Sequence, residues 1–221
     1  MKRITLFAGH YGSGKTCIAV SYAKLVKAGG LDTAIVDLDI VNPYFRTKDS
    51  ENELKEAGID IIASEYANTN LDAPALPKEI YSVISNKSLH LVIDVGGDDR
   101  GAVALGRYAQ DIQDENDYEM LFVANCYRPL TKTAEDALEV MREIEVASKL
   151  KFTGIVNNSN IGKATTASDV MASSEFINKL SELAGIPVVM TTATGEVFEE
   201  IKDKMENAFC IDLQDKYYEI N

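Results

Sequence analysis

Short apolar runs alternate along the chain with longer segments of helical periodicity. Such runs are typical of strands that are buried on both faces. We predict strands at residues 3–8, 33–37, 59–62, 89–94, 118–124, 152–156 and 188–190. Strands separated by helices predict an α/β fold, with a doubly wound, mostly parallel sheet and helices on both faces.

The periodic segments between the strands predict the helices, several of which end at a glycine. We predict helices at residues 17–26, 51–57, 78–85, 102–110, from 134 onward, 168–184 and 195–205. Thr133 is a suitable N-cap, and Gly185 is a normal stop signal. The acidic tail, residues 212–221, has no pattern that predicts a helix or a strand. A chain of 221 residues is expected to form a single domain.

A glycine-rich stretch joins the first predicted strand to the first predicted helix. Residues 9–16, GHYGSGKT, match the G-x-x-x-x-G-K-[ST] pattern of Walker A and are called the phosphate loop below. Glycines let successive N–H groups face one concavity, and a helix N-terminus attracts anions. We expect Lys15 to reach the β- and γ-phosphates and the Thr16 hydroxyl to bind Mg²⁺. The residues predicted to contact nucleotide here are Gly9, Gly12, Ser13, Gly14, Lys15, Thr16 and Cys17.

Carboxylates follow two other predicted strands. Asp94 ends an apolar strand and precedes a glycine pair that includes Gly97, the arrangement of Walker B. We expect Asp94 to hold Mg²⁺ and the Gly97 N–H to reach the γ-phosphate. Asp37 is predicted to lie near the metal, and Asp39 to orient or activate the attacking water, so that Asp39 and Lys15 are the candidate catalytic residues. A simple role in capping or solvating the loop is the alternative for either aspartate.

These motifs together resemble the MinD/ParA/nitrogenase iron-protein family of P-loop ATPases, which includes the CobQ/CobB-type domains. The resemblance extends to about Met205 and implies one Rossmann-like, three-layer nucleotide-binding domain over residues 1–221. It also implies ATP and Mg²⁺ as cofactors, a nucleotide-dependent homodimer, and switch regions at 39–46 and 94–101. By the same resemblance Asn157 reads the base, since an amide matches the N6 and N7 edge of adenine. The Asn-Lys-x-Asp pattern of GTPases is absent after this strand, which favours ATP over GTP.

The phosphate loop departs from the family pattern at one position. His10 stands where many members carry an additional lysine that reaches the nucleotide of the second subunit. Arg46 and Arg100 are alternatives for such a cation, against a simple role in surface salt bridges. Thr191 and Thr192 follow the last predicted strand, where they either hold the base or ribose or act as caps.

Charge and cysteine usage narrow the classes of partner. With 22 basic and 35 acidic residues the net charge is −13, which disfavours nucleic acids and stable anchoring to an anionic membrane. Cys17, Cys126 and Cys210 form no closely spaced pair, which disfavours a bound iron–sulfur cluster or nickel. We find no signal peptide and no run of transmembrane length, and we expect a cytoplasmic location.

Three functions fit these observations. The first is an ATP-hydrolysing switch or maturation ATPase that acts on a protein partner. The second is a CobQ/CobB-type metabolic enzyme that uses ATP to phosphorylate or activate a small acid, although residues 68–77 carry no basic side chain for such a substrate. The third is a nucleotide sensor without hydrolysis, against which the intact Lys15, Thr16, Asp39 and Asp94 argue. We predict the first.

Overall fold

One parallel sheet of eight strands forms the centre of the described chain. The computed structural model describes residues 1–38, 50–63, 79–97 and 99–213, and the statements below concern these residues. The strands are β1 (Ile4–Ala8), β2 (Thr33–Leu38), β3 (Asp60–Ala63), β4 (His90–Val95), β5 (Tyr118–Ala124), β6 (Gly154–Asn157), β7 (Val188–Ala193) and β8 (Ala208–Cys210). The predicted fold class is confirmed.

Helices connect successive strands and cover both faces of the sheet. They are α1 (Lys15–Ala28), α2 (Glu51–Glu56), α3 (Glu79–Ser85), α4 (Asp99–Leu105), α5 (Ala109–Glu115), α6 (Ala134–Ser148), α7 (Ala167–Ala172), α8 (Ser174–Ala184) and α9 (Gly195–Ile201). Short 3₁₀ turns lie at Pro129–Thr131 and Gly162–Ala164. None of the helices in the described ranges has the length and apolar character needed to cross a bilayer.

The strand order places the end of β1 at a branch point of the sheet. The order is β3-β2-β4-β1-β5-β6-β7-β8, with every adjacent pair parallel. The chain therefore builds one side of the sheet from β2 to β4 and then crosses β1 to build the other side. Open parallel sheets bind ligands outside the carboxyl ends of their strands at such a switch point. The phosphate loop follows β1 at this point.

Alternating strand residues divide the interior into two cores. Leu6 points to the face covered by α3 to α6 and α8, whereas Phe7 points to the face covered by α1 and α2. Phe7 meets Tyr22 of α1 edge to face, with ring centroids 5.4 Å apart. The side to which a strand residue points therefore decides whether it can reach the phosphate loop and α1.

The predicted helix at residues 102–110 is wrong in its bounds. The structure has two helices there: α4 begins inside the predicted loop, and α5 begins only at Ala109. Gly106 lies in the break, where an added Cβ would come within 2.8 Å of the Ala147 carbonyl oxygen of α6. The close packing against α6 accounts for the glycine at this break.

The predicted helix at residues 168–184 is also divided. Ser173 separates α7 from α8, and its hydroxyl donates to the Val170 carbonyl (2.7 Å) and accepts from the Asn157 side chain (2.8 Å). Thr166 and Asp169 form a capping box at the start of α7. Strand β8 was not predicted, because a three-residue strand carries almost no periodic signal and forms only by pairing with β7.

Candidate nucleotide-binding site

The phosphate loop adopts the backbone that its glycines permit. Gly12 (φ 73°) and Gly14 (φ 90°) are left-handed, a region that other residues rarely adopt. An added Cβ at Gly9 would come within 2.5 Å of the Val123 carbonyl oxygen on β5. Helix α1 follows directly at Lys15 and has no side-chain cap. An uncapped helix N-terminus that opens onto such a loop is suited to an anion.

Lys15 and Thr16 are held at the base of the loop. Both are buried, and the Lys15 Nζ donates to the His10 carbonyl at 3.1 Å. Gly97, in the loop after β4, lies against Lys15 and Tyr11, since an added Cβ would be 2.7 Å from the Lys15 Nζ and from the Tyr11 Cα. The loops after β1 and β4 therefore touch at the predicted position of the γ-phosphate.

Two carboxylates stand side by side on neighbouring strands. Asp37 of β2 is the register partner of Asp94 of β4, and Phe7 of β1 is the next partner along. Both aspartates are buried on the face that α1 covers, as their spacing from Ile35 and Val92 requires. Strands lie about 4.8 Å apart, so the two carboxyl groups are close neighbours.

Asp37, Asp94 and the Thr16 hydroxyl offer oxygen ligands only, the type that Mg²⁺ prefers. Within the described ranges no three His, Cys, Asp or Glu side chains gather at one point. Mg²⁺ commonly keeps several waters and phosphate oxygens as ligands, so a site with two carboxylates is sufficient. Asp39, Arg46 and residues 68–77 lie outside the described residues.

A cavity opens beside the phosphate loop and is called the interloop cavity here. Its empty space is about 590 Å³ including the open mouth. The lining residues are Gly12, Gly14, Cys17, Arg128, Asn158, Asn160, Gly162, Thr165, Val170, Thr192, Ala193, Thr194, Val197, Ile211 and Leu213. Apolar walls with amide and hydroxyl groups suit a flat, polar-edged ring, and none of these lining residues is acidic.

The two asparagines at the end of β6, Asn157 and Asn158, have different surroundings. Asn157 is fully buried; its Nδ2 donates to Ser173, and its Oδ1 accepts from the Ser159 N–H at 3.2 Å. Asn158 lines the interloop cavity, where its Nδ2 donates to the Ser13 carbonyl (2.6 Å) and its Oδ1 accepts from Thr192 (2.5 Å). The structure thus brings Asn158, and not the predicted Asn157, beside the phosphate loop.

Strand alternation is the signal that distinguishes these two asparagines. Val156 packs on the α1 side and Ile155 on the opposite side, so Asn158 shares the side of α1 and Asn157 does not. The same alternation separates Thr192, which lines the cavity, from Thr191, which does not. Arg100 lies exposed on α4. Arg128, which sequence reasoning did not single out, forms part of the cavity wall.

No protein-family model matches the chain, and no curated protein matches it. Solved structures do share its fold. Chloroplast FtsY from Physcomitrella patens is 14% identical, with a TM-score of 0.59 over 89% of this chain and 60% of that one. Cell division protein FtsY from Thermotoga maritima is 16% identical, with a TM-score of 0.58 over 88% and 62%. Signal recognition particle 54 kDa protein from Aeropyrum pernix, in complex with GDP, is 14% identical, with a TM-score of 0.55 over 87% and 41%.

The present chain spans about 40–60% of the length of these three proteins. At such low identities the likeness establishes the fold, which is that of the α/β P-loop NTPases. The likeness does not test the narrower resemblance to the MinD/ParA family.

Proposed function

We propose that this chain is a Mg²⁺-dependent nucleotide-hydrolysing protein that uses ATP and acts as a switch on a protein partner. The observation that carries the proposal is the phosphate loop itself. Its left-handed glycines lead into the uncapped start of α1, and Lys15 and Thr16 lie buried at its base. Backbone N–H groups, a lysine and a hydroxyl at one point form a cradle for a phosphate chain.

The metal would be held by Thr16, Asp37 and Asp94. When bound, Mg²⁺ neutralises charge on the phosphates. Lys15 binds the β- and γ-phosphates, and Asp39 orients the attacking water. Asp39→Ala should therefore keep ATP affinity and lose phosphate release, with Asp60→Ala, at the opposite end of the sheet, as control. Normal phosphate release by Asp39→Ala would assign the water to another residue.

The interloop cavity supports adenine as the base. Guanine presents N–H donors at N1 and N2 that a carboxylate matches, whereas the adenine edge pairs with an amide. Asn158, Asn160 and Thr194 are among the lining residues, and no acidic side chain is. In this proposal Asn158 and Asn160 take the base-reading role predicted for Asn157, because they line the cavity and Asn157 does not.

GTP is the second candidate, because structural neighbours from Aeropyrum pernix and Elizabethkingia anophelis are complexes with GDP. Calorimetric titration with ADP and with GDP decides between the two. We expect ADP to bind at least about tenfold more tightly, equivalent to about 1.4 kcal/mol. The reverse order would make the protein a GTP-binding switch.

The switch proposal rests on the contact between Gly97 and the phosphate loop. A group bound at Lys15 meets the loop that leads directly into α4, so α4 can respond to the γ-phosphate. We expect the surface around α4 and the phosphate loop to form the nucleotide-dependent homodimer and to bind the partner. Light scattering with a non-hydrolysable ATP analogue tests the dimer, and an unchanged monomer would contradict it.

A phosphate-release assay separates the proposal from the two other functions. An ATPase releases phosphate from Mg·ATP without a second substrate. A CobQ/CobB-type enzyme would turn over only after a small organic acid is added. A sensor would bind ATP and release no phosphate in either case.

A further inference from the structure

Arg128 lies against the phosphate loop although it is far from it in sequence. An ideal Cβ at Gly12 would be 3.8 Å from the Arg128 Nε and 3.9 Å from its Cζ. The guanidinium group therefore lies beside Gly12, at van der Waals distance from the position of a Cβ. Arg128 also lines the interloop cavity together with Gly12, Gly14 and Cys17. Its side chain thus sits where the phosphate loop and the cavity meet.

The turn that carries Arg128 is pinned at several points. Asn125 is fully buried, and its carbonyl accepts from the Thr131 hydroxyl at 2.7 Å. Its Oδ1 accepts from the N–H groups of Tyr127 (3.0 Å) and Asn160 (3.3 Å), and its Nδ2 donates to the Asn160 carbonyl (3.1 Å). This network joins the turn to the other cavity loop, so Arg128 is presented from a built support.

The charge of Arg128 is unmatched within the described ranges. No hydrogen bond or ion pair there involves its guanidinium group, and its Nε is buried without an acceptor. A buried donor without a partner costs free energy, and a guanidinium carries five donors in a fixed fork that suits phosphate. No acidic residue lines the cavity that it faces. The missing acceptor is therefore expected on a ligand.

We propose that Arg128 binds the phosphate chain of the nucleotide from within the same chain, an inference that rests on the proposed nucleotide-binding function. It provides a cation next to the phosphate loop, which carries His10 and not a second lysine. Arg100, exposed on α4, and Arg46, outside the described residues, are not needed for this contact. Because phosphate is common to all nucleotides, the contact adds affinity without selecting the base.

The test is calorimetry of the full chain with Mg·ADP and Mg·GDP. Arg128→Ala should weaken ADP about 10- to 100-fold, the range for loss of a charge-assisted hydrogen bond. Any GDP binding should weaken by the same factor, and Arg128→Lys should recover part of the loss. Arg142→Ala removes the same charge from the exposed face of α6 and should leave both affinities unchanged.

Thermal unfolding of the ligand-free protein separates binding from a structural role. Arg128→Ala should unfold at the same temperature as the wild type or higher, since no described acceptor loses its donor. The proposal is overturned if ADP affinity stays within threefold of the wild type, if ADP and GDP weaken unequally, or if the ligand-free variant is destabilised. A wild-type chain that binds neither nucleotide refutes the proposed function instead, before any variant is compared.

Discussion

Arg3 and Arg128 lie at opposite ends of the parallel strands, one before β1 and the other after β5. Arg3 is buried, donates to the carbonyls of Ile84 (2.6 Å), Asn86 (3.1 Å) and Leu89 (3.2 Å), and pairs with Glu115 at 2.7 Å. Arg128 has no such partner among the described residues, and it faces a cavity. At the amino ends of the strands the terminal nitrogens of Arg3 find acceptors within the protein, although the Arg3 Nε, like the Arg128 Nε, has none among the described residues. At the carboxyl ends it holds the Arg128 guanidinium group beside the interloop cavity, without an acceptor among the described residues.

This difference separates stability from binding. A charge whose partners are all within the protein contributes to folding, and its removal leaves the partners unsatisfied. A charge whose partner is a ligand adds little to the free energy of folding. The fold tolerates such a charge because other hydrogen bonds hold the loop that carries it. Four substitutions test this division.

Arg3→Ala should have the largest effect. It leaves the half-buried Glu115 with only the longer contact to Lys87 (3.6 Å) and removes donors from three carbonyl groups, so the free energy of unfolding should fall by about 3–5 kcal/mol. Urea denaturation measures this change. Lys2→Ala, which breaks an exposed pair with Asp117, is the control and should cost less than about 1 kcal/mol. Equal losses in the two variants would show that the contacts of Arg3 contribute no more to stability than an exposed salt bridge does.

Lys15→Ala should act at the other end, on binding. Loss of the cation at the base of the phosphate loop should weaken Mg·ATP about 100-fold, with the fold retained. Titration by calorimetry and circular dichroism of the same sample check both parts. Lys27→Ala, in the last turn of α1, should bind ATP normally, because Lys27 pairs with Asp32 away from the site. Wild-type affinity in Lys15→Ala would refute the assignment of the phosphate loop.

Gly97→Ala should reduce phosphate release about tenfold, or about 1.4 kcal/mol in the barrier. The added methyl group would overlap the Lys15 Nζ and the Tyr11 backbone, each 2.7 Å away, and would force the two loops apart. Gly30→Ala is the control for a strained glycine substitution away from the site, because Gly30 is left-handed (φ 84°) and has open space around it. If both variants hydrolyse ATP alike, the contact between the two loops does not affect turnover.

Tyr108→Phe should have the smallest effect and appear only at alkaline pH. Burial, with the neighbouring Tyr81, raises the pKa of Tyr108 to about 12. Above pH 10 the unfolded chain ionises this tyrosine while the folded chain keeps its proton, so stability is full below pH 10 and falls towards pH 12. The substitution should lessen that fall by on the order of 1 kcal/mol. Urea denaturation at pH 9 and pH 11 gives the free energy of unfolding at each pH. The prediction would be contradicted if this free energy fell by the same amount between the two pH values in the wild type and in Tyr108→Phe.

Features that depend on a few neighbouring residues, such as caps and strand bounds, were predicted correctly at several positions. The N-cap at Thr133 is confirmed by the Asp136 N–H, which donates to its hydroxyl at 3.1 Å. The strand at 118–124 has the predicted bounds. Asp37 and Asp94 were predicted beside the metal, and the register places them opposite each other on adjacent strands. Their roles, and that of Asp39 outside the described residues, stay predictions.

Other features depended on contacts between distant segments. The break at Gly106 depends on α6, and the break at Ser173 depends on Asn157 of β6. Arg128 carries no motif, and only the fold of the β5–α6 turn brings it to Gly12. Asn158 could have been preferred to Asn157 from strand alternation, but its contact with Ser13 could not have been foreseen.

The sequence by itself determined the phosphate loop, the alternation of strands and helices as far as β7, and the carboxylates at the strand ends. These follow from glycine conformation, hydrophobic period and residue chemistry, all of which act over a few neighbouring positions. Only the tertiary structure decided which side chains share the interloop cavity. Bringing Gly12, Arg128, Asn158 and Thr192 to one point requires the strand order and the side of the sheet to which each loop leads, and no local pattern encodes either.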